Sequence, residues 1–566
     1  MDAMSARICF LLFACIVQAP SYAASLQAPG SQELIRERQE QLLEQQRQRL
    51  DELQNLPGTP GSAVDVVQSV ESGCIPIRRI HLRGASLLDN DEQAELLRPF
   101  TDTCLSVGQL NDLLRVITGY YLDRGYVTTR AYLPQQDLSD GELEVVVIEG
   151  RLEELDGASL ASPQELVMSF PGQIGERLNL RDLEQLADQL GRLPSRQVRM
   201  QLLPGAQLGG SQVQLSGERL KPWRVSVNRN NDGLESTGEQ QWGVGLDWDS
   251  PLGLADQLSL RGGGDTVSDH WSDSSDQSLL YSLPYGWWTF SYTYSDNSYR
   301  SQTEVAGFAL KQHGDSQTQQ VRAERVLQRD EVSKSAASVA SGHIRTRNYL
   351  EDTLVDVSSQ RLSSGQLGFN HGRRIGSAFV NLDLGWQRGT GWFGAQDDGD
   401  PRGAMPVARY NLYSATLSYL QPFRLWNESF SVQSLATGQR SEDVLFSPLR
   451  LGIGGLSSVR GFKEQSLSGD SGGYWRNQLN WRRPISWAVL QQWLNEYGAA
   501  LAYDVGVIEH GPNNPLAHGR MTGQALELNA RGPHLAASVT FAQSLERPAI
   551  ISEAESPLYF RVDLFF

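Results

Sequence analysis

Histidine and cysteine are scarce in this chain of 566 residues, which holds eight His and four Cys. No pair of them stands at metal-ligand spacing, so neither a zinc-type centre nor any other metal site is expected. H-E-x-x-H and Walker motifs are missing too, and no catalytic residues or cofactors are expected. Basic charge is short: 49 Lys and Arg face 66 Asp and Glu, a net charge of −17. Nucleic-acid binding rests on basic contacts to phosphate and is not expected. Long apolar runs are absent as well. Hydrophobic residues make up 40%, and the apolar run Ile8 to Val17 is shorter than the ~20 residues that cross ~30 Å of hydrocarbon. A polytopic helical membrane protein does not fit. The Asp-rich turns at Asp397-Asp398-Gly399-Asp400 and from Asp269 to Asp276 read as solvated loops.

What the chain does contain is glycine and aromatics: Gly 54, Trp 13, Tyr 18 and Phe 17. With few long apolar stretches, that mixture suits many strands joined by turns. At the N-terminus, Arg7, the apolar run, Pro20 and Ser21-Tyr22-Ala23 have the charge, core and cleavage pattern of a secretory signal peptide over residues 1–23. Its removal takes Cys9 and Cys15 with it. Cys74 and Cys104 remain, and two cysteines in an exported chain most simply form one disulfide.

From Ser31 to Leu56 there is no Gly or Pro, and Gln, Glu, Arg and Leu dominate, which predicts a helix of about 24 residues. Glu33/Arg36 and Glu44/Arg47 are spaced to pair along its surface. A helix this polar belongs in water or in a wet cavity. Residues 57–73, with Leu56-Pro57-Gly58-Thr59-Pro60-Gly61-Ser62, read as a linker.

Two copies of a βααββ order follow, over residues 74–150 and 151–220. The first has a strand from Ile75 to Leu82, helices Asn90 to Leu97 and Val107 to Asp123, and strands Val127 to Tyr132 and Leu143 to Ile148. The second repeats the order with helices Pro163 to Phe170 and Leu180 to Leu190.

From 221 to 566 apolar and polar residues alternate between Gly, Asp, Asn and Ser turns. Trp242, Val244, Leu246 and Trp248 alternate with Gly243, Gly245 and Asp247. In the last strand Leu558, Phe560, Val562, Leu564 and Phe566 share one face. Such alternation fits a soluble sandwich or an outer-membrane barrel. The signal peptide, the lack of a spanning helix, the aromatics within strands and the terminal Phe566 favour the barrel. Sixteen strands would leave roughly 22 residues for each strand and its loop, room for spans of ~9–11.

Signal peptide, polar helix, linker, paired repeats and barrel together resemble the TpsB outer-membrane transporters of two-partner secretion, whose best-known member exports filamentous haemagglutinin. The first repeat resembles a POTRA domain in Ile117-Thr118-Gly119-Tyr120-Tyr121, Arg124-Gly125-Tyr126, Ala131-Tyr132-Leu133-Pro134 and Ile148-Glu149-Gly150. Val459-Arg460-Gly461-Phe462 matches the V-R-G-F/Y signature of the long sixth extracellular loop, within the Gly- and Ser-rich stretch Ser447 to Gly473. Ala502-Tyr503-Asp504-Val505-Gly506 matches the companion F/G-x-D-x-G signature except at its first position.

The resemblance implies a membrane β-barrel of about sixteen antiparallel strands, preceded by two POTRA domains and a plug helix over 31–56. It implies that Arg460, on a folded-back loop, meets Asp504 in the lumen. Parity agrees on the Asp: Leu501, Tyr503, Val505 and Val507 share the apolar face, so Asp504 points inward. The expected partners are a secreted TpsA-type exoprotein, outer-membrane lipid and, through Phe566, the barrel assembly machinery. The expected place is the Gram-negative outer membrane with the POTRA domains in the periplasm. The second reading is a BamA-like assembly factor, which commonly carries more POTRA repeats and lacks the leading helix.

Overall fold

A computed structural model describes residues 29–56, 73–267, 271–305, 308–398, 406–511 and 517–566. The expected signal peptide and nearly all of the expected linker lie outside the described residues.

The leading helix runs Pro29–Gln54, two residues earlier at each end than its composition predicts. Pro29 is tolerated there because a first-turn residue needs no N–H partner. The end falls at Gln54 because the chain turns at Leu53 and Leu56, which are buried against Phe379 and Leu420 of the barrel wall. The surface pairs Arg36–Glu33 at 2.7 Å and Arg47–Glu44 at 2.6 Å are both formed.

In the first POTRA domain, Arg79–Arg83 pairs in parallel with the central strand Glu142–Ile148, and Arg130–Tyr132 pairs antiparallel on its other side. Helices Asn90–Leu97 and Val107–Asp123 bury Leu113, Ile117 and Tyr121 against Leu143 and Val145. The sequence suggests one strand from Ile75 to Leu82, but it breaks at Arg78. Ile75–Ile77 instead pairs with a short strand, Thr103–Leu105. That extra pair brings Cys74 to Cys104, Cα atoms 5.3 Å apart, in a disulfide. Closing a loop of that length stabilises by roughly 3–4 kcal/mol in the chain-entropy account.

The second POTRA domain repeats the sheet order: Arg151–Asp156, then the central Gly210–Ser216, then Arg199–Pro204. Helices Pro163–Ser169 and Leu180–Gly191 pack on it, the first opened by a Ser162/Glu165 capping box. Arg79–Arg83 and Arg199–Pro204 are edge strands of their sheets.

Residues that carry the POTRA resemblance build the joint between the domains. Asn179 donates to the Arg124 carbonyl at 3.2 Å, and the Leu180 N–H donates to the Gly125 carbonyl at 2.8 Å. The Glu149 carboxylate accepts from Ser86 (2.6 Å), Tyr121 (2.9 Å) and the Leu87 N–H (3.0 Å), and faces Arg177 of the second domain at 3.4 Å. Burial would raise this carboxyl, but those donors and Arg177 outweigh it and hold it below the ordinary Glu range. A depressed folded value makes the Glu149 contribution complete above the unfolded value of about 4.3, and lost as pH falls through the folded value. Glu149→Gln is therefore expected to loosen the joint at neutral pH, and acid to loosen it in the wild type. Spin-label distances between the two domains would read both; distances that ignore acid and substitution alike would discount the joint.

Sixteen strands close the barrel, from Trp223–Asn230 through to Leu558–Phe565. The closing pair is held by five register pairs, Arg561↔Asn230 to Phe565↔Ser226, against thirteen for Glu496–Ile508 and its preceding neighbour. Lipid-facing residues alternate as the pattern indicates: Leu501, Tyr503 and Val507 are exposed while Asp504 is buried inside. The Phe566 N–H donates to the Val225 carbonyl at 2.9 Å, finishing the seam. The second POTRA domain grips the periplasmic turns: Arg192 donates to the Ala255 carbonyl at 2.8 Å, and the Ser195 N–H to Asp249 at 2.8 Å.

Candidate functional site

Between Glu428–Arg440 and Gly472–Pro484 the chain leaves the wall for about thirty residues, long for a loop. A small hairpin, Leu451–Ile453 with Leu467–Gly469, folds it back into the barrel. At its tip Val459 and Phe462 are wholly buried against Ile453, Leu467, Tyr474 and Met521. Burying two large apolar side chains contributes about 1.5–3 kcal/mol each, enough to bring the backbone of Arg460 and Gly461 down with them.

Arg460 and Asp504 meet there, 3% and 0% exposed. Arg460 Nε donates to Oδ2 at 2.6 Å, Nη2 to Oδ1 at 2.8 Å, and its backbone N–H to Oδ2 at 3.1 Å. This is the bidentate fork that guanidinium and carboxylate geometry favours. Nη1 is satisfied by Gln478 Oε1 at 2.6 Å. Gly461 has φ +105, open to glycine, and an added Cβ would stand 2.4 Å from the Gln543 carbonyl oxygen. Gly506 lies under Val459, whose Cγ2 is 2.8 Å from where a Cβ would be. Ala502, where the family signature has Phe or Gly, packs with Leu456 of the loop against the cluster of Ala525, Ala542 and Tyr559.

Sequence reasoning missed three residues of this seat. Gly523 lies at a register shift in the neighbouring strand, and a Cβ there would fall 1.6 Å from the Arg460 carbonyl oxygen. Glu555, from the last extracellular loop, accepts the N–H groups of Lys463 (2.5 Å), Glu464 (3.1 Å) and Gln465 (2.9 Å). Gln478 is the third. Its inward face is legible from parity; the contacts of the other two join segments far apart in sequence and leave no local trace. Gly523→Ala is expected to lift the loop tip at about 1–3 kcal/mol, the usual range for overpacking. Protease cleavage within 456–465 of the folded barrel would report it; cleavage equal to wild type would show that the strand absorbs the methyl group.

The leading helix occupies the lumen below this seat. Gln46, almost wholly buried, donates to Asp383 at 2.6 Å and accepts from Asn381 (3.1 Å) and Ser418 (2.9 Å). Arg49 reaches both Glu324 oxygens, at 2.7 and 2.6 Å. Lys334 holds Glu52 at 3.0 Å and Asp188 of the second POTRA domain at 3.3 Å. The upper half touches the base of the long loop, where Gln39 donates to the Gly452 carbonyl at 2.7 Å. These bonds trade against water, each at a net of about 0.5–1.5 kcal/mol, more where charged.

Residues 209–530 match the family model described as haemolysin secretion/activation protein ShlB/FhaC/HecB. Residues 75–150 match a ShlB-type POTRA domain, and 151–204 a POTRA domain. The chain is 32% identical over 559 residues to the outer membrane transporter CdiB of Dickeya dadantii, covering 99% of this chain and 98% of that one. It is 32% identical to the hemolysin transporter protein HpmB of Proteus mirabilis, covering 78% of each. Among solved structures, CdiB from Escherichia coli superimposes with a TM-score of 0.90 at 34% identity, covering 96% of this chain and 100% of the other.

Proposed function

We infer the work of this chain from one premise: it belongs to the haemolysin secretion/activation family ShlB/FhaC/HecB, and is an outer-membrane transporter of two-partner secretion with periplasmic POTRA domains. An unfolded exoprotein, whether adhesin, cytolysin or contact-dependent toxin, is captured by the POTRA pair and threads outward through the barrel. It folds outside, and that folding with binding along the way drives export without nucleotide hydrolysis. Capture uses strand addition at the edges Arg79–Arg83 and Arg199–Pro204, because main-chain hydrogen bonds accept many client sequences. Arg460, seated on Asp504, fixes the long loop so that the opened lumen keeps its shape. Phe566 serves recognition by the barrel assembly machinery during biogenesis.

The observation that carries this reading is the polar helix filling the lumen, seated by exchangeable hydrogen bonds and followed by a Pro- and Gly-containing linker. A passive porin has no use for such a plug. Loss of the chain is expected to abolish surface delivery of one large exoprotein and to leave other outer-membrane proteins at normal levels. General loss of barrels from the outer membrane would instead indicate an assembly factor.

A further inference from the structure

The lipid-facing side of the wall carries, near its extracellular rim, an arrangement that polypeptide export does not use. Arg345 on Ser333–Leu350 and Arg361 on Gln360–Ile375 are direct cross-strand partners. Both have the parity of the lipid-exposed Val339 and Leu367. Like charges placed opposite each other in a sheet repel, and among the described residues no carboxylate lies within 4 Å of either guanidinium. Arg345 Nε is buried without a hydrogen bond, and Arg361 Nη1 donates to the Gly394 carbonyl at 3.4 Å. The same face supplies acids elsewhere: Arg347 is paired with Asp315 at 2.9 Å, and Arg300 with Asp273 at 3.2 Å.

A turn from the following loop lies against the strand just below. The Trp392 ring reaches within 3.7 Å of where a Gly365 side chain would begin, four residues nearer the membrane centre than Arg361. Ser363 Oγ donates to the Trp392 carbonyl at 2.8 Å, and the Gln396 N–H to the Arg361 carbonyl at 2.9 Å. Phe393 takes φ 55, a strained conformation for an aromatic residue, with its ring 6.3 Å from that of His343. Pinned and strained, Trp392 and Phe393 nevertheless remain 53% and 71% exposed.

Unneutralised arginines thus stand above exposed aromatics, with the apolar band of the wall beneath them. An amphiphile whose phosphate carries no cation of its own matches that order. Guanidinium groups bind phosphate through paired hydrogen bonds, and aromatic rings sit at headgroup depth. A zwitterionic phospholipid brings its own cation and relieves the repulsion poorly. We propose that Arg345, Arg361, Trp392 and Phe393 form a docking surface for the phosphorylated glycolipid of the outer leaflet, lipid A in chemical class. A phosphate group lies between the two guanidiniums, and the roots of the acyl chains lie on the rings. This rests on the outer-membrane placement of the barrel and not on the route of export.

The test uses the full-length chain, delipidated in detergent and titrated with diphosphorylated lipid A, with bound lipid counted by native mass spectrometry. The double variant Arg345→Gln/Arg361→Gln is expected to bind more weakly by on the order of tenfold or more. Dephosphorylated lipid A should bind the wild type about as weakly, and millimolar inorganic phosphate should not compete. Equal binding by wild type and double variant, or full displacement by inorganic phosphate, overturns the proposal. A second reading guards against misfolding. Without lipid A, Arg345→Gln should melt at or above the wild type because a repulsion is removed; with lipid A the order should reverse. Failure to reverse also overturns it.

Discussion

Arg460→Ala is expected to cut surface delivery of the exoprotein by an order of magnitude or more while the barrel still inserts and migrates as a folded, heat-modifiable species. Truncating the guanidinium leaves Asp504, which has no exposed surface, as a buried charge stripped of its bidentate partner. Breaking a buried pair in this way costs about 3–5 kcal/mol. The sixteen-stranded wall does not depend on the loop for its ladder hydrogen bonds, so the loss falls on the seat. Val459 and Phe462 then lose the anchor that orients them, and the loop samples the lumen it should leave clear. Asp504→Ala alone should do comparable harm through an orphaned Arg460. The double variant Arg460→Ala/Asp504→Ala should cost less than the sum, because no charge is left unpaired. Wild-type secretion by Arg460→Ala, or strict additivity in the cycle, would remove the pair from the mechanism. Lysine at 460 is a finer probe: it keeps the charge but not the fork, and cannot also reach Gln478, so it should restore only part of the secretion.

Much of this site is legible in the sequence. Period-two alternation places Asp504 inside because its neighbours Leu501, Tyr503, Val505 and Val507 are apolar, and a strand gives each residue only two faces to choose from. Parity says nothing about height or about what crosses the lumen. The pairing of Arg460 with Asp504 follows from the family resemblance and not from parity, and the fork geometry and zero exposure arise only once the loop is folded back. Gly523 reads as one of 54 glycines, and Glu555 as one acid in a polar loop. Their importance exists only once the long loop has folded back.

The leading helix shows the same division. Its Gln, Glu and Arg content dictates a helix with no face to bury in oil, yet whether that surface meets bulk water or a wet lumen is decided by the barrel. Inside, Gln46 finds Asp383, Asn381 and Ser418, three polar residues on inward positions that alternation alone leaves without an assigned partner. The start at Pro29 and the break of the first POTRA strand at Arg78 were likewise beyond propensity, since each depends on packing or pairing with distant chain.

Deleting 29–56 is expected to raise single-channel conductance in planar bilayers several-fold and to shift the channel from brief openings to a long-lived open level. A helix of 26 residues is about 39 Å long at 1.5 Å per residue, enough to cross ~30 Å of hydrocarbon and fill the ion path along its whole length. Point variants should grade the effect. Arg49→Ala leaves Glu324, a largely buried carboxylate, with Arg322 at 2.7 Å as its remaining cation, and weakens the seat of the helix at its lower end. Gln46→Ala removes three hydrogen bonds midway. Because each bond is replaced by one to water when the helix leaves, either variant should raise the fraction of time open without changing the conductance of the open level. Removal of the helix should fix that level and suppress the return to the closed one. Salt should act only weakly on the wild type, because Arg49, Glu324 and Lys334 are largely buried and such pairs are screened far less than surface ones. Conductance unchanged by the deletion would mean that ions already pass beside the helix, and the helix would then be a lumenal strut with no part in gating.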